Sequence, residues 1–400
     1  MKILQICYKP PFPPADGGAM GMNGVTEGLI NTGNSVKVLT FYSDKHPFHL
    51  DDLPKHYIEQ TNIEAIFVDL GVKLLPAFEC WITGESYHVK RFVSKDMAKK
   101  IKTVLQQETD FDVVQMESIF LSPYVDVVRK YSKARLVLHA PNVEHLIWQR
   151  IAKTTKNIFK KHYLKHLALT LRAYELENIN RYDAIYPATT ADAEYFKNNG
   201  CRRPCIAVPV GLPQPDIVSN VLPLANTLFH IGSMNYVPNL QAIEWFLQSV
   251  WQDVLSLTPN AKLYLAGRDM PPWLLDYKAP NVEIVGEVAD STLFMQRHSV
   301  MVVPLLSGSG VRIKIIEAMS LGKCVIATAV AAEGIPYSNN ENIIIANTAE
   351  EFAKAVAKCF SDKEFCDNIG INAAKLVAEN YNINAIAQKL VSLYQQIEPK

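Results

Sequence analysis

Short continuous runs of Val, Ile and Leu alternate with longer stretches of helical periodicity along the whole chain, and this alternation restricts the fold more than any other feature. Six runs fall in the first half, at 3–8, 35–42, 64–70, 113–117, 135–140 and 184–189. Six more follow at 227–232, 262–267, 282–286, 300–305, 324–328 and 342–346. A run that is apolar throughout marks a strand covered on both faces, as in a parallel sheet. Helical stretches such as 239–257 and 350–360 supply the crossovers. At 400 residues the chain exceeds one ordinary core. The reading is α/β, with two doubly wound Rossmann-like domains facing each other across a cleft.

The joint falls in 209–223, where four prolines and Gly211 disfavour both helix and central strand. This gives domains at 1–215 and 216–371, followed by 372–400, whose helix over 372–396 can pack back on the N-terminal domain. Ligands of open α/β sheets bind beyond the carboxyl ends of the strands, so the loops after strands are where chemistry is expected.

Composition narrows the classes. Forty Lys and Arg balance forty Asp and Glu, so no global charge points to nucleic acid. No run of about 18 apolar residues predicts a membrane span, and Met1–Cys7 lacks the pattern of a signal peptide. Seven scattered cysteines suit a reducing cytoplasm. Cys201 and Cys205 form the one close pair in sequence, with no second Cys/His pair near it, so no metal site is expected.

The best-defined loop follows the run at 300–305: Leu306-Ser-Gly-Ser-Gly-Val-Arg-Ile-Lys-Ile-Ile-Glu-Ala-Met-Ser-Leu-Gly322. A Gly-rich turn leads into a helix that Gly322 stops. Gly308 and Gly310 admit a ligand close to the backbone, Ser309 can cap the helix, and the helix start suits phosphate. Arg312, in the first turn, offers a bidentate donor. Lys314 and Glu317 are three apart on one face. The plainer reading of the same residues is a tight strand–helix connection with a surface ion pair.

Glu317-Ala-Met-Ser-Leu-Gly322, followed by Lys323–Thr328 and Ala332–Ile335, resembles the donor-site helix of retaining family-4 (group 1) glycosyltransferases, which have the GT-B fold. The resemblance spans nearly the whole chain. It implies that Glu317 holds the nucleotide ribose, and that 216–371 is the nucleotide-sugar domain and 1–215 the acceptor side. The family's first Glu falls on Ser309, a departure that removes its contact to the donor sugar. The loop Phe229-His-Ile-Gly232-Ser-Met-Asn-Tyr-Val-Pro-Asn239 also resembles the family, with Ser233 and Asn239 where members carry Arg and Lys. Phosphate charge then rests on Arg312, Lys314 and the helix start, with Gly232, Ser309 and Gly310 lining the donor.

On the other half, a proline-rich loop from Lys9 ends in Asp16-Gly17-Gly18. In similar enzymes such a Gly-Gly lies under the donor phosphates, and Asp16 caps the following helix or meets an acceptor hydroxyl. The alternative is a rigid loop without a ligand. His139 ends the run at 135–140, and its place resembles the family's strand-end His that faces the donor sugar. A satisfied polar residue is the plainer reading of His139, and Asn142, Glu144 and His145 are weaker, acceptor-side candidates.

The implied reaction is sugar transfer with retention from a nucleoside-diphosphate sugar to a glycan or lipid-linked hydroxyl, metal-independent and without a cofactor. A nicotinamide dehydrogenase, a nucleotide-sugar epimerase and a non-catalytic nucleotide-sugar binder are the competing functions. The segment 150–172 carries lysines, histidines and apolar residues and no acid. It is either a packed helix with solvated lysines or a peripheral contact to anionic membrane.

Overall fold

A computed structural model of the chain describes residues 1–155, 157–212, 221–308 and 310–398. Contacts divide the chain into two compact units, Met1–Leu212 with Ile383–Lys400, and Pro213–Asn382.

The first unit is built on β1 (Lys2–Cys7), β2 (Ser35–Tyr42), β3 (Glu64–Phe67), β4 (Val113–Met116), β5 (Arg135–Ala140) and β6 (Ala184–Pro187). All pair parallel, in the order β3-β2-β1-β4-β5-β6. Its helices are α1 (Gly17–Asn31), α2 (Lys55–Thr61), α3 (Leu74–Thr83), α4 (Tyr87–Lys90), α5 (Lys95–Gln107), α6 (Val125–Tyr131), α7 (Glu144–Thr154), α8 (Ile158–Asn178) and α9 (Thr190–Asn198). Buried side chains from both faces of the sheet, among them Leu4, Ile6 and Val114 and, opposite, Ile3, Val38 and Val137, explain why the strand runs are apolar throughout.

The second unit repeats the plan with β7 (Leu224–Ile231), β8 (Lys262–Ala266), β9 (Val282–Gly286), β10 (His298–Val303), β11 (Cys324–Ala327) and β12 (Ile344–Ile345), ordered β12-β11-β10-β7-β8-β9. Its helices are α10 (Val237–Trp245), α11 (Trp251–Leu257), α12 (Pro272–Leu275), α13 (Ser291–Arg297), α14 (Ile313–Ser320), α15 (Ala349–Ser361) and α16 (Lys363–Asn380). In each sheet the first strand sits between neighbours that lead in opposite directions. The switch points are therefore β1/β4 and β7/β10.

All twelve expected strands are present, with ends shifted by a few residues. One helical expectation gains a detail and one needs correction. The stretch read as helical over 239–257 is helical throughout, with a π turn at Phe246–Val250 between α10 and α11, and Phe246, Leu247, Val250 and Trp251 are all buried. The single helix read over 372–396 is two helices, α16 and α17 (Ile383–Gln396), parted at the buried Tyr381. α16 stays with the second unit because Gly370 lets its backbone meet the Gly322 carbonyl, where a Cβ would collide. α17 instead packs on α1, where a Cβ at Gly28 would come within 2.6 Å of the Ile383 carbonyl. The return to the first unit thus starts at Ile383 rather than at 372.

Candidate functional site

In the first unit the residues beyond β1, β4 and β5 form one polar cluster. The Lys9 ammonium lies 2.5 and 2.7 Å from the two carboxylate oxygens of Asp16, and Asp16 also caps α1 by accepting from the Ala19 amide at 3.0 Å. Burial lowers the pKa of Lys9, and the Asp16 charge only partly restores it. Burial disfavours the Asp16 carboxylate too, but Lys9 and the Ala19 amide outweigh it and hold its pKa below the ordinary value. Gly18 is needed here. A Cβ on it would come 2.8 Å from the Tyr8 hydroxyl and 2.9 Å from Lys9 Nζ. Gly17, the first residue of α1, is half-buried beside it.

His139 is nearly buried at the end of β5. Its Nδ1 lies 2.5 Å from Glu117 Oε2, and its ring stacks on Tyr186 with centroids 4.5 Å apart. Glu117 is fully buried and accepts from Gln5 Nε2 at 2.6 Å and from Gln115 Nε2. Tyr394 on α17 donates to Gln115, so the C-terminal helix closes this network from behind. With a carboxylate at Nδ1, the imidazole proton sits on Nδ1 and Nε2 is left for a ligand.

Glu144 opens α7, half-buried, with Asn142 hydrogen-bonded to it. Burial and the negative Glu175 push its pKa up to about 8, against the opposing effects of Asn142 and Lys9. His145 is not available to an acceptor. It is fully buried between Glu175, at 2.6 Å, and the Tyr195 hydroxyl, at 2.8 Å.

In the second unit the site forms beyond β7 and β10. Gly308 and Gly310 have φ of +136° and +79°, the left-handed region that glycine takes without strain. A Cβ at Gly308 would collide with the Arg312 guanidinium and come 3.2 Å from the Tyr236 hydroxyl. Arg312 Nη1 donates to the Gly310 carbonyl. α14 starts only at Ile313, so Arg312 is its cap residue rather than part of its first turn. Ser309, read as a possible cap, lies outside the described residues. Lys314 Nζ lies 2.9 Å from Glu317 Oε2 and 3.3 Å from Ser291 Oγ, and the Glu317 side chain is 17% exposed.

Gly232, directly after β7, is so closely packed that a Cβ would come 2.8 Å from Asn239 Nδ2. Asn239 donates to the Ser233 carbonyl at 3.0 Å, and Ser233 and Asn235 both donate to Asp269, at 3.3 and 2.8 Å. The two positions where the family carries cations thus serve the loop's own hydrogen bonds.

Sequence reasoning missed Lys9, Glu117 and Tyr236. The signal for Glu117 was a carboxylate ending an apolar run one strand away from a strand-end His. It also missed the sulfurs of Cys324, Cys359 and Cys366, which lie within 4.8 Å of one another. These are core side chains of β11, α15 and α16, away from the switch point.

Two parallel six-stranded sheets, each with polar residues gathered at its switch point, define the GT-B class of α/β glycosyltransferase folds. Residues 225–362, which carry the second sheet and α14, match the family described as glycosyl transferases group 1. A 44.6 kDa protein in the cps region of Klebsiella pneumoniae is 24% identical over 397 residues, covering 95% of this chain and 96% of that protein. Among solved structures, sucrose-phosphate synthase of Thermosynechococcus elongatus is similar with TM-score 0.70, 15% identity and 99% of each chain covered. HepE of Anabaena, in complex with UDP-glucose, gives TM-score 0.64 at 14% identity over 99% of each chain. A TarM variant of S. aureus, in complex with fondaparinux, alpha-GlcNAc-glycerol and UDP, gives 0.68 at 11% identity, covering 99% of this chain and 100% of that one. Among the described residues no helix is long and apolar enough to cross a membrane.

Proposed function

We propose that the chain is a retaining glycosyltransferase that moves a sugar from a nucleoside-diphosphate sugar to a hydroxyl of a glycan or lipid-linked acceptor. The observation that carries this is the Glu317 carboxylate, held by Lys314 on the helix that follows the Gly308–Gly310 turn at the β7/β10 switch point. A carboxylate in that place accepts from both ribose hydroxyls, while Lys314, Arg312 and the amides of the turn meet the diphosphate. The complexes of HepE with UDP-glucose and of TarM with UDP favour a uridine donor. The cps region of the Klebsiella relative favours surface-polysaccharide assembly as the setting.

The acceptor hydroxyl attacks C1 of the sugar on the face from which the diphosphate departs. The C1–phosphate bond breaks, the new glycosidic bond forms with retained configuration, and a diphosphate oxygen takes the hydroxyl proton. Arg312 and Lys314 stabilise the charge that develops on the leaving group, an electrostatic role that needs no metal in this proposal. In the first unit, His139 offers Nε2 to the donor sugar, Gly17 and Gly18 lie on the donor side, and Asp16, Asn142 and Glu144 shape the acceptor side.

Calorimetric titration with UDP, UDP-glucose and NAD, together with product analysis with and without acceptor, tests the reading. Binding of UDP and UDP-glucose but not NAD, with sugar transfer only when acceptor is present, supports it. Binding of NAD alone, or an epimerised donor in the absence of acceptor, overturns it.

A further inference from the structure

A cluster of exposed large apolar side chains of the first unit lies on α3. Its residues Leu74, Leu75, Phe78, Trp81 and Ile82 fall at spacings of one, three and four, so they share one side of the helix, and all five are exposed, Leu74 at 83% and Ile82 at 71%. The opposite side, Ala77 and Cys80, packs against Tyr87, Ala152, Leu164 and Leu167 of α4, α7 and α8. The helix is therefore anchored on the unit with its apolar face outward. Five large side chains in one stripe are not the scattered exposure of an ordinary surface. They mark an interaction surface.

The same surface continues onto α8. The Trp81 and His166 rings lie 6.3 Å apart across the two helices. From its start α8 exposes Ile158, at 61%, and Phe159, at 85%, among Lys160, His162 and Lys165, with Lys153 exposed just before. Lys156 lies outside the described residues. The whole of 150–172 has no acid. Near α3, Asp69 and Glu85 are each paired with a lysine, Lys73 at 2.9 Å and Lys90 at 2.8 Å, and Glu79 is the single carboxylate of the helix.

We propose that α3 and the start of α8 form a docking surface for an anionic lipid bilayer, with the α3 stripe and Phe159 entering the headgroup–acyl boundary and Lys153, Lys160, Lys161 and Lys165 meeting the lipid phosphates. The charge decides the occupant. A second copy presenting this face would bring like-charged lysines together, whereas an anionic leaflet neutralises them while its interior accepts the stripe. Trp81 and Tyr163 are the ring types that settle at a membrane interface, and Phe78 and Phe159 suit the apolar face of an interfacial helix. The surface belongs to the acceptor-side unit, and it deepens the proposed function by placing a lipid-linked acceptor where the enzyme sits.

The test is sedimentation of the full chain with vesicles of phosphatidylcholine alone and of phosphatidylcholine mixed with phosphatidylglycerol, with UDP affinity and thermal unfolding measured on the same samples. Binding to the mixed vesicles at low salt, weakening as salt rises, is expected. Phe78→Ser with Trp81→Ser, both exposed, is expected to weaken it at least about tenfold at every salt concentration. Lys160→Glu with Lys161→Glu and Lys165→Glu removes the preference for anionic vesicles. Unchanged unfolding and unchanged UDP affinity in both variants separate loss of docking from loss of fold or of the donor site. Absence of binding to mixed vesicles at low salt overturns the proposal, even where UDP binds. A concentration-dependent dimer that vanishes in Phe78→Ser with Trp81→Ser also overturns it, and gives the face to a second copy.

Discussion

Glu117 and His139 stand on neighbouring strand ends with 2.5 Å between the carboxylate and Nδ1, and neither has more than a trace of exposure. Glu117 is surrounded by donors, Gln5 Nε2 and Gln115 Nε2 besides the imidazole. Glu117→Gln sets an amide against those donors, so the ring loses the group that fixes its tautomer. Leaving buried donors unmatched costs about 1–3 kcal/mol. Turnover is expected to fall at least about tenfold with UDP affinity unchanged, and His139→Ala to behave likewise. Steady-state kinetics beside calorimetry checks this. A Glu117→Gln enzyme with full turnover removes the positioning role.

Glu317→Ala takes away the carboxylate assigned to the ribose. Hydrogen bonds to a charged group are worth about 1.5–3 kcal/mol each, and a total loss of about 2–4 kcal/mol lowers nucleotide affinity about 30- to 1000-fold while the fold survives. Calorimetry with UDP and unchanged circular dichroism are the readouts. Unaltered affinity takes Glu317 out of the site.

Much of this was legible in the sequence, because parallel strands covered on both faces declare themselves as apolar runs. Glu317 and His139 were singled out by resemblance, through the Glu317–Gly322 segment and the strand-end place of the histidine, and their roles belong to the proposal. The partners of His139 were not: Gln5 lies on β1, Gln115 and Glu117 on and just after β4, and Tyr394 on α17, and only the sheet order and the packing of α17 bring them together. Arg312 was placed one turn too deep because Gly308 and Gly310 delay the start of α14. The division of the last helix was hidden as well, since Gly370 and Gly28 are ordinary glycines until the backbones they face are known.

Arg312→Ala is expected to weaken UDP far more than uridine, because the guanidinium is assigned to the diphosphate and not to the nucleoside. Equal losses for both ligands give Arg312 a structural role in the turn. The same assignment predicts that turnover survives treatment with EDTA, and activity that returns only on adding a divalent cation contradicts it.

Glu144 carries a pH signature for the first unit. Its pKa rises from 4.5 to about 8 through burial and the nearby Glu175 charge, with Asn142 and Lys9 opposing. Between those values the native state keeps a proton that the unfolded chain has lost, so this residue makes stability fall as pH rises from 4.5 to about 8 and adds no further slope above it. Glu144→Gln holds the neutral state at every pH. Relative to the wild type it is expected to gain stability between pH 5 and 8.5, by about 1–3 kcal/mol once partial exposure is allowed for. Urea unfolding at the two pH values gives the difference directly. Parallel pH profiles for the two proteins show that Glu144 ionises freely in the folded state, and the acceptor-side cluster then holds a carboxylate rather than a neutral acid.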